Sequence, residues 1–153
     1  KTINFGSTGF SSSGTAATVI FGGAGLITMA GTPGSLNHVI IANTNVAGIT
    51  PTSGWNMTGK FSINSTAIFN ASSYSYIVGT DIESNGTLNG GTSTFTMTSI
   101  TGQLSGSPNT TFNHFTIGTA AIITANSDFN VAGDYTNNGT YHGTLGHLIM
   151  TGS

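Results

Sequence analysis

The chain has 153 residues, enough for one domain with a continuous core. Only 4% of them are charged, with two lysines, no arginine and a net charge of -2, which argues against the many phosphate contacts of a nucleic-acid-binding protein. The absence of cysteine excludes a disulfide scaffold, a zinc–thiolate site and a thiol nucleophile, and no apolar run is long enough to span a bilayer.

In chain order, the first element is a strand at Thr2-Ile3-Asn4-Phe5, which begins without an initiator methionine and so reads as a processed or excised segment. Alternating apolar residues follow at Val19 and Phe21. The glycine-rich piece Gly22-Gly23-Ala24-Gly25 lacks the strand-to-helix context of a phosphate loop. Further strands are expected at Leu36 to Ile41, at Trp55, Met57 and Phe61, and around Asp81-Ile82-Glu83. Later come Thr94-Phe95-Thr96-Met97-Thr98, Phe112 to Ile117, Phe129 to Tyr135 and finally Leu148-Ile149-Met150. Turn-forming Gly, Asn or Ser bounds each run, with about 8–12 residues between strand centres, the pattern of an all-β protein. No amphipathic stripe at helical period persists over several turns.

The sequence repeats itself. Residues 84–99 echo residues 137–152, with apolar positions and two glycines coinciding. A longer echo relates the two halves of the chain: Leu36-Asn37-His38 matches Phe112-Asn113-His114, and Val19, Phe21, Val39 and Ile41 fall on Phe95, Met97, Phe115 and Ile117. After a slip of a few residues, Trp55, Met57, Gly59 and Phe61 fall on Phe129, Val131, Gly133 and Tyr135. The chain therefore reads as a single repeat-built domain, 1–153, of two long repeats at about 1–76 and 77–152, with units of roughly 20 residues inside each.

A parallel β-helix, or β-solenoid, of about 20-residue coils accounts for both repetition and composition. Rungs stack about 4.8 Å apart, with apolar side chains inside and small polar ones outside. Stacked charges would repel at that spacing, whereas the 27 Thr, 18 Ser and 15 Asn stack without penalty. Roughly seven coils give a rod of about 35 Å. A β-sandwich or jelly roll also uses short strands with Gly-rich turns, but rarely repeats its sequence.

The phrases Asp128-Phe129-Asn130-Val131-Ala132-Gly133-Asp134-Tyr135 and Phe112-Asn113-His114-Phe115-Thr116-Ile117 resemble repeats of large secreted surface proteins, including filamentous-haemagglutinin-like adhesins and autotransporter passengers. The resemblance covers most of the chain after about residue 17. It implies a right-handed parallel β-helix, export from the cell, and a role in adhesion or surface structure, and it carries no catalytic residues.

Candidate chemistry is sparse. Asp81 and Glu83 flank Ile82, so both carboxylates point to one side of a strand, as a glycosidase pair would; two solvated surface acids is the plainer reading. His38 and His114 occupy matching places in the long repeat and read as metal ligands or as surface imidazoles inherited by duplication. His142 and His147 lie across a glycine turn without a nearby acid in sequence. Thr94, Thr96 and Thr98 share one face, a fragment of the threonine arrays that bind ice. Trp55 reads as a sugar-stacking ring or a core residue. Six Asn-x-Ser/Thr sequons occur, at Asn56, Asn64, Asn70, Asn85, Asn109 and Asn138, close to the number that composition alone produces.

No catalytic, cofactor-binding or metal residue is assigned, and no cofactor is expected. The expected function is that of a non-enzymatic extracellular structural protein, a self-assembling subunit of a surface filament, sheath or adhesin. Its expected partners are further copies of itself, by head-to-tail stacking or strand exchange of uncapped ends, and cell-surface glycans. A carbohydrate-binding or carbohydrate-cleaving β-helix is the alternative, and an ice-binding solenoid the third reading.

Overall fold

The computed structural model describes residues 1–6, 10–12, 14–107 and 110–152. Every strand pair is parallel, and the described residues form no helix. The chain winds round three faces, visited in the same order on each turn. The first face carries β1 (Thr2–Asn4), β3 (Thr28–Ala30), β8 (Ile68–Asn70), β11 (Thr87–Asn89), β14 (Thr111–Phe112), β17 (Phe129–Val131) and β20 (Leu148–Met150). The second carries β4 (Ser35–Leu36), β6 (Trp55–Met57), β9 (Ser75–Val78), β12 (Thr94–Met97), β15 (His114–Ile117) and β18 (Tyr135–Asn137). The third is one seven-stranded sheet of β2 (Thr18–Gly23), β5 (His38–Asn43), β7 (Phe61–Ile63), β10 (Ile82–Ser84), β13 (Gly102–Gly106), β16 (Ile122–Ala125) and β19 (Thr140–Gly143). Two shorter segments complete the winding. Ile49 bridges to Phe69 on the first face, and residues 10–12 begin the second, where the Ser12 amide donates to Ser35 O at 2.9 Å.

Val19, Val39, Phe61, Ile82, Leu104, Ala125 and Gly143 are successive register partners on the third face. Each coil therefore takes about 20 residues, the length of one solenoid repeat. The protein is thus a β-solenoid of about seven turns, and the antiparallel layers of a sandwich are not what this sequence forms.

Alternation explains the lining. In β12 Phe95 and Met97 are fully buried while Thr94 and Thr96 face outward. Rungs about 4.8 Å apart bring successive inward rings into contact. Phe21, Trp55, Tyr76, Phe95, Phe112, Phe129 and Tyr141 consequently form an unbroken aromatic chain, with centroids 4.7 to 6.2 Å apart. Some turns bring backbone so close to the next rung that no side chain fits. At Gly106, φ is +124° and a Cβ would overlap the Ser84 carbonyl.

The long echo does not return to the same face. Val19 and Phe21 lie in β2 on the third face, but their counterparts Phe95 and Met97 lie in β12 on the second. Trp55 and Met57 lie in β6 on the second face, and Phe129 and Val131 in β17 on the first. Register is kept throughout: Val19 opposite Val39 becomes Phe95 opposite Phe115, and Trp55 opposite Tyr76 becomes Phe129 opposite Leu148. Twenty strands with the two shorter segments make twenty-two face segments, and the echo advances by eleven. Eleven segments on three faces are three and two-thirds coils. The second half of the rod therefore restates the first, turned by one face.

Candidate functional site

Two of the shallow depressions on the rod are lined by outward side chains that answer each other. The first, on the third face, is lined by Thr18, His38, Ile40, Lys60, Ser62, Asn64 and Glu83. The second, on the second face, is lined by Thr94, His114, Thr116, Asp134 and Thr136. Thr18, His38 and Ile40 are the counterparts of Thr94, His114 and Thr116 in the long echo, while Lys60 and Ser62 match Asp134 and Thr136 after the slip. The two are one site built twice, on neighbouring faces and with opposite charge at its third position.

Hydrogen bonding shows what the shared residues do. His38 Nδ1 accepts the Lys60 amide at 3.0 Å, and His114 Nδ1 accepts the Asp134 amide at 2.9 Å. Both rings, when neutral, therefore carry their proton on Nε2. Asp134 Oδ2 also lies 3.2 Å from His114 Nδ1; since the amide already donates to that nitrogen, the contact is an ion pair only on a protonated ring. Gly59 and Gly133, just before the donating amides, leave room for the imidazoles. A Cβ at Gly59 would lie 2.7 Å from His38 Nδ1, and one at Gly133 2.9 Å from His114 Nδ1.

Two aspartates do the same job elsewhere. Asp81 Oδ1 accepts the Gln103 amide at 2.9 Å, and Asp128 Oδ1 accepts the His147 amide at 2.8 Å. In all four cases the acceptor directly precedes a strand's first inward apolar residue, and the donor holds the same place one rung on. The strand-entry amide is a backbone donor that needs an acceptor at the corner, and these side chains latch one rung to the next.

Asp81 and Glu83 do share a side, with buried Ile82 between them. Each carboxylate is already engaged. Glu83 Oε2 takes the Lys60 ammonium at 2.5 Å and Glu83 Oε1 the Asn85 amide at 2.9 Å. The Lys60 hydrogen bond, then that of Asn85, holds the Glu83 carboxyl below its ordinary range against a small opposing effect of burial.

His142 and His147 are not partners. His147 Nδ1 lies 2.8 Å from Asp128 Oδ1, an acid that sequence proximity does not reveal and the preceding coil supplies. The His147 amide, then its ring, holds the Asp128 carboxyl below its usual range. Among the described residues, no group of three or more His, Asp or Glu side chains is placed to hold a metal ion.

Trp55 is a core residue, 2% exposed and stacked on Phe21 at 5.3 Å, and is out of reach of any sugar. Thr96, Thr116 and Thr136 are register partners on three consecutive rungs of the second face, so the threonine run at 94–98 continues as a ladder. Sequon residues Asn56, Asn64, Asn85 and Asn138 are exposed and Asn70 is half-buried; Asn109 lies outside the described residues.

Sequence reasoning missed Lys60, Asp134 and the Asp128–His147 pair. The signal for the first two was present in the echo, where Gly59-Lys60 and Gly133-Asp134 stand at matching places. No helix among the described residues is long and apolar enough to cross a membrane. Compared with protein-family models, curated proteins and solved structures, the chain gives no significant match.

Proposed function

We propose that this chain is a non-enzymatic structural protein of the extracellular surface, a subunit that builds a filament, sheath or adhesin by adding rung to rung. The observation that carries this reading is the way rung joins rung: every strand pair is parallel and in register, with apolar residues of one coil stacked on those of the next, as Val19, Val39 and Phe61 are. Stacking of this kind is open-ended, and strand edges of a solenoid favour the addition of another rung.

The near-neutral hydroxyl exterior supports the same reading, since it offers little charge repulsion against assembly. The resemblance to secreted β-solenoid adhesins supports placement outside the cell. Sedimentation and negative-stain microscopy of concentrated protein test it: filaments or a ladder of oligomers are expected, and a monodisperse monomer overturns it.

One observation favours a second reading. The Thr96–Thr116–Thr136 ladder repeats hydroxyl and methyl groups at rung spacing, the kind of array that orders water at an ice surface. A thermal-hysteresis measurement on wild type and Thr116→Lys decides it: a freezing-point gap lost in the variant supports ice binding, and no gap removes it.

A further inference from the structure

We infer that the two matched depressions are binding sites for a neutral polysaccharide, each reading sugar hydroxyl groups with a histidine that the fold holds in place. The inference goes beyond the polymer reading and stands whether or not rods join.

Both depressions are laid out on one lattice. Thr18 is the register partner of His38, and Thr94 of His114. One column over, Ile40 lies opposite Ser62, and Thr116 opposite Thr136. Each half-buried imidazole is therefore set among hydroxyl groups, and each depression includes a carboxylate, Glu83 in the first and Asp134 in the second.

The latch decides what the ring presents. Nδ1 is spent on an amide of the next rung, at 3.0 Å for His38 and 2.9 Å for His114, so the neutral ring carries its proton on Nε2. Among the described residues no acceptor meets that N–H. Gly59 and Gly133 crowd the same rings from the corner. A donor oriented in advance, in a concave place and without a protein acceptor, is preorganised for a ligand.

Three ligand classes fail at one site or at both. A metal ion finds no lone pair, because Nδ1 is taken and Nε2 is protonated. An anion meets the exposed carboxylate of Asp134 in the second depression, and in the first it finds Lys60 already held by Glu83. A wholly apolar ligand strips water from hydroxyls and carboxylates without replacing their hydrogen bonds. A sugar hydroxyl suits both, since it accepts from Nε2–H and donates to a carboxylate or to a Thr or Ser oxygen. The methyl groups of Ile40 and Thr116 supply apolar contact for the C–H faces of the ring.

Neither lining includes an aromatic ring, so one site alone binds weakly, with a Kd of about 1 mM. The eleven segments from His38 to His114 are three and two-thirds coils, about 18 Å along the axis. A chain that engages both sites gains affinity without any new contact. The fitting ligand is thus a polymer of sugars rather than a single one.

Nuclear magnetic resonance of protein labelled with nitrogen-15 in histidine tests this at about pH 8, above the ordinary histidine range. Hexasaccharides of glucose, mannose and N-acetylglucosamine serve as neutral probes, at up to about 20 mM, and hexagalacturonate as the anionic one. At least one neutral probe is expected to shift the His38 and His114 ring signals and to bind at least tenfold more tightly than hexagalacturonate. His38→Asn/His114→Asn keeps an oxygen for the latch amide but lacks the Nε2–H donor, so sugar binding should fall at least tenfold while the urea midpoint changes little. No ring shift with any neutral probe, equal or tighter hexagalacturonate binding, or undiminished binding in the double variant overturns the proposal. Should the double variant unfold, the ring shifts of wild type still decide. Filament formation is read separately by microscopy, so failure here leaves the polymer reading untouched.

Discussion

His114 accepts through Nδ1 the backbone amide of Asp134, 2.9 Å away on the next rung, and His38 does the same for Lys60 at 3.0 Å. The first prediction follows from the two aspartates that fill this role elsewhere. His38→Ala leaves the Lys60 amide without its partner and should lower stability by about 1 kcal/mol. His38→Asp supplies a carboxylate like that of Asp81 and should recover most of the loss. Equilibrium urea unfolding of the three proteins checks both, and equal loss in the two variants would refute the latch.

The glycines of the latch give a second prediction. Gly59→Ala places a methyl against the His38 ring and the Asn37 side chain, at an expected cost of about 1–3 kcal/mol. Part of that cost should disappear in a His38→Ala background, a coupling read from the double-mutant cycle. Gly106→Ala combines overlap with the Ser84 carbonyl and a φ of +124°, so it should be more damaging than Gly25→Ala, where a Cβ meets nothing within 4 Å.

Trp55, the single tryptophan, reports on the core. Its 2% exposure predicts blue-shifted fluorescence that acrylamide quenches poorly. Trp55→Ala opens the aromatic chain between Phe21 and Tyr76 and should cost about 3–5 kcal/mol in denaturant unfolding.

Acid should weaken the rod through Glu83. Its carboxyl sits below the ordinary range in the folded chain, so on acidification the unfolded chain takes up this proton first. The contribution is whole above the ordinary glutamate range and drains as pH falls through it toward the folded value. The Lys60–Glu83 pair is over a third exposed, so its worth is below about 1 kcal/mol. Glu83→Gln should therefore lower the unfolding midpoint at pH 7 and lower it less as the pH falls below the ordinary glutamate range, and 1 M salt should shrink the difference at pH 7. Asp128, whose carboxyl is also held low, adds a loss of the same sign.

The architecture was legible because alternation and the echo are properties of the chain itself. Val19, Phe21, Phe95 and Met97 announce inward positions wherever they lie. Spacing could not tell which face each strand occupies. Corner lengths vary, so the coil from Val39 to Phe61 is longer than the one from Ala125 to Gly143. The long echo therefore looks like a whole number of turns until the faces are seen. For the same reason Asp128 and His147, nineteen residues apart, have no visible relation in sequence. Glu83 was legible as an acid beside Asp81, but its lysine stands 23 residues earlier. The latches are legible in retrospect, as polar residues directly before an apolar strand start.

Eleven is not a multiple of three, and this bears on how such a protein diversifies. When a stretch of this length is duplicated, a side chain that pointed in one compass direction reappears pointing in another, as His38 and His114 do. Copying alone spreads a feature round the circumference, with no substitution required. A bearing is regained only at the fourth copy, so a rod lengthened by this rule has no privileged flank.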